Sequence, residues 1–396
     1  MIDRPRVLCV FGTRPEAIKM APVVRALGAP SSGLLPVVCV TDQHQEMLDQ
    51  VLEFFALRPD YRLEVMQENQ TPSEVAARVL ERLPAVLDDV QPGAVLVQGD
   101  TTTTVAAALA AFYARVPVGH VEAGLRTHRL DAPFPEEANR QLTSVITRWH
   151  FAPTPQARDN LVRDQVPASD IVVTGNPVVD ALLWAAERLG DRCLLPCLAR
   201  AHERRLILVT AHRRESFGAP FIHLCNALRE LADRNPDVEL AYPVHLNPQV
   251  QAPVRRILND HPRIHLLPPV TYSELVDLLR RCHFVVTDSG GVQEEAPSLG
   301  KPVLVLRDTT ERPEGVAAGT ARLVGTSSGR IVEEAERLLH DPAAYDTMAR
   351  AHNPYGDGRA SERIAGVLRN ALILEAAAPP GLGALPPGAA TQAAGS

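Results

Sequence analysis

The sequence of 396 residues lacks the usual marks of a metal or nicotinamide enzyme. No HExxH occurs, and Cys9, Cys39, Cys193, Cys197, Cys225 and Cys282 form neither a CxxC nor a Cys/His ligand spacing, which excludes the common zinc sites. They read as reduced thiols, mostly in the core. No GxGxxG follows a strand-like run and no GxxxxGKS/T occurs, so the dinucleotide fingerprint and the Walker loop are both missing. No metal and no cofactor are therefore expected. No apolar run approaches the roughly 20 residues that span a bilayer, and the opening MIDRPRVLCVFGTRPEA has neither the cleavage site nor the apolar run of a secretory signal. A cytoplasmic protein without a membrane partner is expected. The net charge of −7 excludes a general attraction to nucleic acid, so any anionic ligand must be met by local cations.

What is present is an ordinary globular composition, 45% hydrophobic and 22% charged, in a chain too long for one typical core. Short apolar runs alternate with helical segments: Arg6 to Phe11, Leu35 to Val40, Val95 to Gln98, Val116 to Val121, Trp149 to Ala152 and Ile171 to Thr174. The character changes over 175–205, and the alternation restarts with Leu206 to Val209, Glu239 to Val244, Ile264 to Leu267, Phe284 to Thr287, Val303 to Leu306 and Arg322 to Val324. Two such series predict an α/β protein of two doubly wound Rossmann-like domains with a cleft between them. Residues 361–376 read as an amphipathic helix, and the Pro/Gly/Ala-rich 377–396 as a disordered tail.

The stretch FVVTDSGGVQEEAPSLGK, 284–301, reads as strand, tight turn and helix. Such a turn aims unpaired backbone N–H groups and the positive end of a helix dipole at one small space, which suits a phosphate. Gly290 and Gly291 let a diphosphate approach the backbone, and Ser289 can serve as N-cap and as a hydroxyl donor. Glu295, one turn on, can take the paired hydroxyls of a ribose. An ordinary αβ unit with a Gly-rich turn is the alternative reading of this stretch alone.

Other segments favour a ligand. Arg14 and Lys19 follow the first strand, His212 and Arg213 the strand 206–211, His245 ends the next, and Arg312 lies in RDTTER; all belong at the carboxyl edges of sheets, where α/β proteins bind ligands. On a net acidic protein this concentration of cations implies an anion. Asp100, Glu122 and Glu136 occupy corresponding places in the first series. Converging acids suit proton transfer, because burial and mutual repulsion raise pKa values toward neutrality.

The chain resembles the non-hydrolysing UDP-N-acetylglucosamine 2-epimerases in FGTRPEAIKMAP (11–22), QGDTTTT (98–104), GHVEAGLRT (119–127), PFPEEANRQLT (133–143), TGNPVVDAL (174–182), AHRRESFG (211–218), YPVHLNP (242–248), TDSGGVQEEAP (287–297), RDTTERPE (307–314) and NPYGDGRASERI (353–364), in family order. The resemblance implies a GT-B-like arrangement, with domains at 1–174 and 175–358 and a helix, 359–376, crossing back to the first. It implies a homodimer that interconverts UDP-GlcNAc and UDP-ManNAc for cell-surface polysaccharide, by elimination of UDP to 2-acetamidoglucal and re-addition. By resemblance Asp100, Glu122, Glu136 and His212 are catalytic. Arg14, Lys19, Ser289, Gly290, Gly291, Glu295 and Arg312 bind substrate, and Gln43, Arg213 and His245 belong to an activating UDP-GlcNAc site. Three positions depart from the family: Leu275 where an aromatic is expected beside the uracil, Asp42 for a usual Gly, and Asn69 for a common Arg. Alternatives are a hydrolysing 2-epimerase, one acting on a modified UDP-HexNAc, a GT-B glycosyltransferase and a non-enzymatic UDP-sugar sensor.

Overall fold

A computed structural model of the chain describes residues 4–42, 45–67, 70–195, 204–213 and 216–374. Strands β1 (Arg6–Phe11), β2 (Leu35–Val40), β3 (Tyr61–Arg62), β4 (Ala94–Gln98), β5 (Val118–Val121), β6 (Trp149–Ala152) and β7 (Ile171–Val173) form a parallel seven-stranded sheet in the order β3-β2-β1-β4-β5-β6-β7. Strands β8 (Arg205–Thr210), β9 (Val238–Pro243), β10 (Ile264–Leu267), β11 (Phe284–Thr287), β12 (Val303–Val305) and β13 (Ala321–Leu323) form a parallel six-stranded sheet in the order β10-β9-β8-β11-β12-β13. The expected pair of doubly wound units is what folds.

The topology explains where the motifs fall. Strand order reverses between β1 and β4 in one sheet and between β8 and β11 in the other. At such switch points adjacent loops leave in opposite directions and open a crevice at the carboxyl edge. The segments GTRPE, GDTTTT, HRRE and DSGG follow β1, β4, β8 and β11 respectively.

The central strands are apolar throughout because helices cover both faces. Val7 to Phe11 and Leu206 to Val209 are all buried, and each such side chain contributes ~1.5–3 kcal/mol. One core cluster runs through both units, joining Phe11 and Leu96 to Val178, Tyr272, Val285 and Ile364. The helix Pro177–Leu189 is the bridge: it packs on the helix Arg14–Gly28 from the first unit and on Tyr272–Arg281 and Gly290–Glu295 from the second.

The helix Ala360–Arg369 lies on Arg14–Gly28 and Pro177–Leu189. Its first amides, Ala360 and Ser361, donate to the Asp180 carboxylate at 3.2 and 2.8 Å, which anchors it by a capping anion. Regular α geometry ends at Arg369, earlier than expected, and continues as a π-helical segment Asn370–Leu374. Residues from 375 on, including the expected tail 377–396, lie outside the described residues.

Two further features have simple causes. Strand β3 has two residues, too few for any periodicity, and pairs only with β2. The helix after β4 begins at Thr102, because the Thr101 hydroxyl accepts from the Thr104 amide and supplies the N-cap. Cys9, Cys39, Cys225 and Cys282 are buried as expected, Cys193 is exposed, and Cys197 lies outside the described residues. No helix among the described residues is long and apolar enough to cross a membrane.

Candidate active site

The loop after β1 is built around a buried carboxylate. Glu16 accepts from the amides of Gly12 and Thr13 at 2.9 and 2.7 Å, and from the hydroxyls of Thr101 and Thr104 at 2.6 and 3.3 Å. With Thr13 it completes a capping box on the helix Arg14–Gly28. Gly12 is required here, since a Cβ would lie 1.8 Å from the Thr41 hydroxyl. Glu16 thus locks the loops after β1 and β4 together, and Arg14 and Lys19 project from this fixed base. Arg14 crosses the cleft to donate to the Val270 carbonyl at 3.3 Å. Burial lowers its pKa, against the opposing pull of Glu295 and Tyr272.

Glu122 directly follows β5 at φ 64°, a conformation strained for a side-chain-bearing residue and concentrated at functional sites. Lys19 forms an ion pair with its Oε2 at 2.5 Å, Gln98 donates to the same oxygen, and Asn176 donates to Oε1 at 3.0 Å. Burial pushes its pKa up, but Lys19, Arg312 and these donors outweigh it and hold the carboxylate below its usual range. Asp100 goes the other way. Burial raises it to about 6, Arg140 at 3.3 Å offsets only part of that, and Glu122 and Glu136 push it higher. Glu136 opens the helix Glu136–Val145 with one carboxylate oxygen buried and without a hydrogen-bond partner among the described residues. The structure brings the three expected acids to one edge.

Across the cleft, Asp288 organises the loop after β8: the amides of His212 and Arg213 both donate to its Oδ2 at 2.7 Å. The His212 ring stacks on His245 with centroids 5.4 Å apart, and burial lowers its pKa against the attraction of Asp288. Ser289 stands at the N-cap of the helix Gly290–Glu295, but its side chain makes no capping bond, contrary to expectation. The amide of Ser289 turns instead to the Thr287 hydroxyl at 2.9 Å, leaving the cap geometry unfilled. The Arg312 guanidinium carbon lies 3.6 Å from where a Cβ on Gly290 would be, so the cation rests in van der Waals range of the turn. Glu295 is pushed to about 7 by burial, despite accepting from the Tyr272 hydroxyl at 3.2 Å.

A cavity of about 470 Å³ lies between the two units, and its wall includes Arg14, Lys19, His212, Ser289, Gly291, Glu295 and Arg312; Asp100, Glu122, Glu136 and Gly290 are not part of that wall, and Glu122 meets it through Lys19. Its apolar side, formed by Val244, Val270 and Leu275, has the character of a wall for a flat apolar group such as a base. Among the described residues no group of His, Cys, Asp and Glu side chains is placed to hold a metal ion.

Of the residues tied by resemblance to an activating site, His245 lines this same cavity beside His212, and Arg213 is fixed through its amide to Asp288. Gln43 and Asn69 lie outside the described residues. Asp42 sits at φ 56°, which explains why glycine is the easier residue there. The residues that sequence reasoning passed over are Gln98, Asn176, Asp288 and Glu294, all buried. Their polarity inside apolar runs or beside prolines and glycines was visible, but only the folded contacts distinguish them from caps.

A family model described as UDP-N-acetylglucosamine 2-epimerase matches residues 29–369. The chain is 55% identical over 371 residues to the UDP-N-acetylglucosamine 2-epimerase of Salmonella typhimurium, covering 92% of this chain and 98% of that protein. It is 54% identical to the protein of the same name from Escherichia coli, again over 92% and 98% of the two chains. The crystal structure of UDP-GlcNAc 2-epimerase from Neisseria meningitidis bound to UDP-GlcNAc superposes with a TM-score of 0.82 at 48% identity, covering 92% of this chain and 99% of that one. A glycotransferase of kitacinnamycin, at 14% identity and a TM-score of 0.63 over 92% and 98% of the chains, shares the fold alone.

Proposed function

The chain belongs to the UDP-N-acetylglucosamine 2-epimerase family, and we propose that it interconverts UDP-GlcNAc and UDP-ManNAc. One observation carries the chemistry: the ionised Glu122 sits against Lys19 in the same cleft as Arg312 and the Gly290–Gly291 turn. A C2 proton is only weakly acidic, so its removal has to be joined to departure of a good leaving group. Cations and amides on the diphosphate make UDP such a group.

The step begins as a base takes the C2 proton. The C–H electron pair forms the C1–C2 double bond, the C1–O bond breaks, and UDP leaves with the C1–O bonding pair. Return of a proton to the other face of C2, with re-addition of the phosphate oxygen at C1, gives the epimer. The two acid–base roles match two carboxylates whose environments push their pKa values apart. Glu122, held low, is the base for one face, and Asp100, titrating near 6, is the proton carrier for the other, with Glu136 beside it. Ser289, Gly290, Gly291 and Arg312 take the diphosphate, Arg14 bridges the closed cleft, and Glu295 takes the ribose. His212, held neutral by burial, donates a hydrogen bond to the sugar or phosphate without adding charge.

The test is incubation with UDP-GlcNAc alone, followed by proton NMR. Appearance of UDP-ManNAc is expected; free ManNAc with UDP would place the chain among hydrolysing enzymes, and no change would reject UDP-GlcNAc as substrate.

We further propose a cytoplasmic homodimer. Phe112, Tyr113, Leu142 and Val145 are 52%, 71%, 59% and 82% exposed on the neighbouring helices Thr102–Tyr113 and Glu136–Val145, an apolar surface that a second copy would cover. Tyr113→Glu with Val145→Asp should give a monomer by light scattering.

A further inference from the structure

Glu294 does not line the substrate cavity, and it is only 2% exposed. Burying a carboxylate is costly unless it is paired and hydrogen-bonded. Its partners come from both halves of the molecule. One oxygen pairs with the Nε of Arg312, and the other accepts from Asn176 Nδ2 at 2.6 Å. The same Asn176 amide also donates to Glu122 at 3.0 Å.

The orientation of Asn176 is fixed independently. Its Oδ1 accepts from the Val178 amide at 3.2 Å as the N-cap of Pro177–Leu189, so its NH2 group must face the two carboxylates. Its own backbone amide donates to the Tyr355 carbonyl at 2.7 Å. The segment around Tyr355 holds the other end as well. Asn353 donates to the Glu294 carbonyl at 3.0 Å, and the Tyr355 hydroxyl donates to the Arg312 carbonyl at 3.2 Å. A continuous chain results: Lys19, Glu122, Asn176, Glu294, Arg312. It contains two cations and two anions and runs from the acid edge of the first sheet to the diphosphate turn of the second.

We propose that Glu294 and Asn176 are positioning residues for the epimerase reaction: Glu294 holds Arg312 over the diphosphate turn, and Asn176 ties that anion to Glu122. Alignment of the C2 base and alignment of the leaving-group cation thereby become one event. The inference rests on the epimerase reading and extends it to residues that never touch substrate.

Glu294→Gln tests it without changing shape. A neutral amide can accept from either Asn176 or Arg312, and its NH2 then opposes the other donor. One link must break. Turnover and C2-deuterium exchange at saturating UDP-GlcNAc should fall ~10- to 100-fold, the loss expected from a small misplacement of reacting groups. The UDP dissociation constant should stay within about threefold, since the turn and Arg14 remain.

A purely structural role would not move the pH profile. Glu122 is faced by Lys19, Gln98, Asn176 and Arg312, with Glu294 and Asp100 as the nearby acids. Removing the charge of Glu294 should shift the acid limb of turnover down by ~1 pH unit, and Asn176→Asp, which adds a charge at the same junction, should shift it up by ~1. Wild-type turnover in Glu294→Gln, or joint loss of turnover and UDP affinity with unshifted limbs in both variants, would overturn the proposal. Should Glu294→Gln not fold, the upward shift in Asn176→Asp decides alone. A wild-type enzyme that leaves UDP-GlcNAc unchanged would show that the epimerase reading itself has failed, and the inference with it.

Discussion

Glu122 and Glu295 are both buried carboxylates at the carboxyl edge of a parallel sheet, Glu295 in the cavity wall and Glu122 behind Lys19 of that wall, yet Glu122 is held low while Glu295 is pushed to about 7. The difference lies in their partners. Glu122 has a lysine at 2.5 Å and amide donors on both oxygens, whereas Glu295 has a tyrosine hydroxyl at 3.2 Å. Burial raises both, and only Glu122 has cations and donors enough to outweigh it. A carboxylate kept ionised without substrate suits proton abstraction. One that is partly protonated near neutral pH can sit beside a ribose, close to a diphosphate, with less repulsion than a full carboxylate charge.

Substitutions sharpen this contrast. Asp100→Asn should lower turnover ~10²- to 10³-fold, the range for losing a general acid–base group, and remove an inflection near pH 6 from the rate profile. Its effect on stability has the opposite sign. Asp100 is raised from 3.8 to about 6 in the folded chain, so between those values the folded state binds more protons than the unfolded one, and stability falls as pH rises through that window. At pH 7 the asparagine variant should therefore be the more stable, by on the order of 2 kcal/mol. At pH 3 the gain should vanish, and thermal melts at the two pH values check this. Glu295→Gln should raise KM ~10-fold through a lost bond to the ribose while leaving kcat within about threefold. If kcat fell as far as in Asp100→Asn, the division between chemistry and nucleotide binding would be broken. Ser289→Ala should have the smallest effect, a rise in KM of ~3- to 10-fold with no loss in Tm, because the hydroxyl caps no helix.

Much of this was legible in the sequence, and the boundary is physical. The run FVVT gave the strand Phe284–Thr287 to the residue, because a strand buried on both faces is apolar almost throughout, and the edge strand Ile264–Leu267 also matched although it is only partly buried. The placement of Asp100 and Glu122 after consecutive strands, and of Glu136 at the next helix start, was legible. Glu294 was not, since next to Glu295 it reads as one more polar residue of a helix; its meaning comes from Asn176 and Arg312, which are 118 and 18 residues away in the chain. Lys19 and Arg312 read as free cations awaiting an anion, and the fold pairs both with carboxylates. Local pattern reports burial and turns, whereas charge balance in a cleft is a property of distant segments brought together.

The most direct test follows deuterium entering C2 of UDP-GlcNAc in heavy water, comparing wild type with Glu122→Gln, beside calorimetric titration of both with UDP. The account predicts rapid exchange in the wild type, a loss of at least ~10³-fold in the variant, and UDP affinities within about threefold of each other. Exchange that survives in Glu122→Gln, or UDP binding that disappears with it, would contradict the assignment of proton transfer to the first sheet and nucleotide binding to the second.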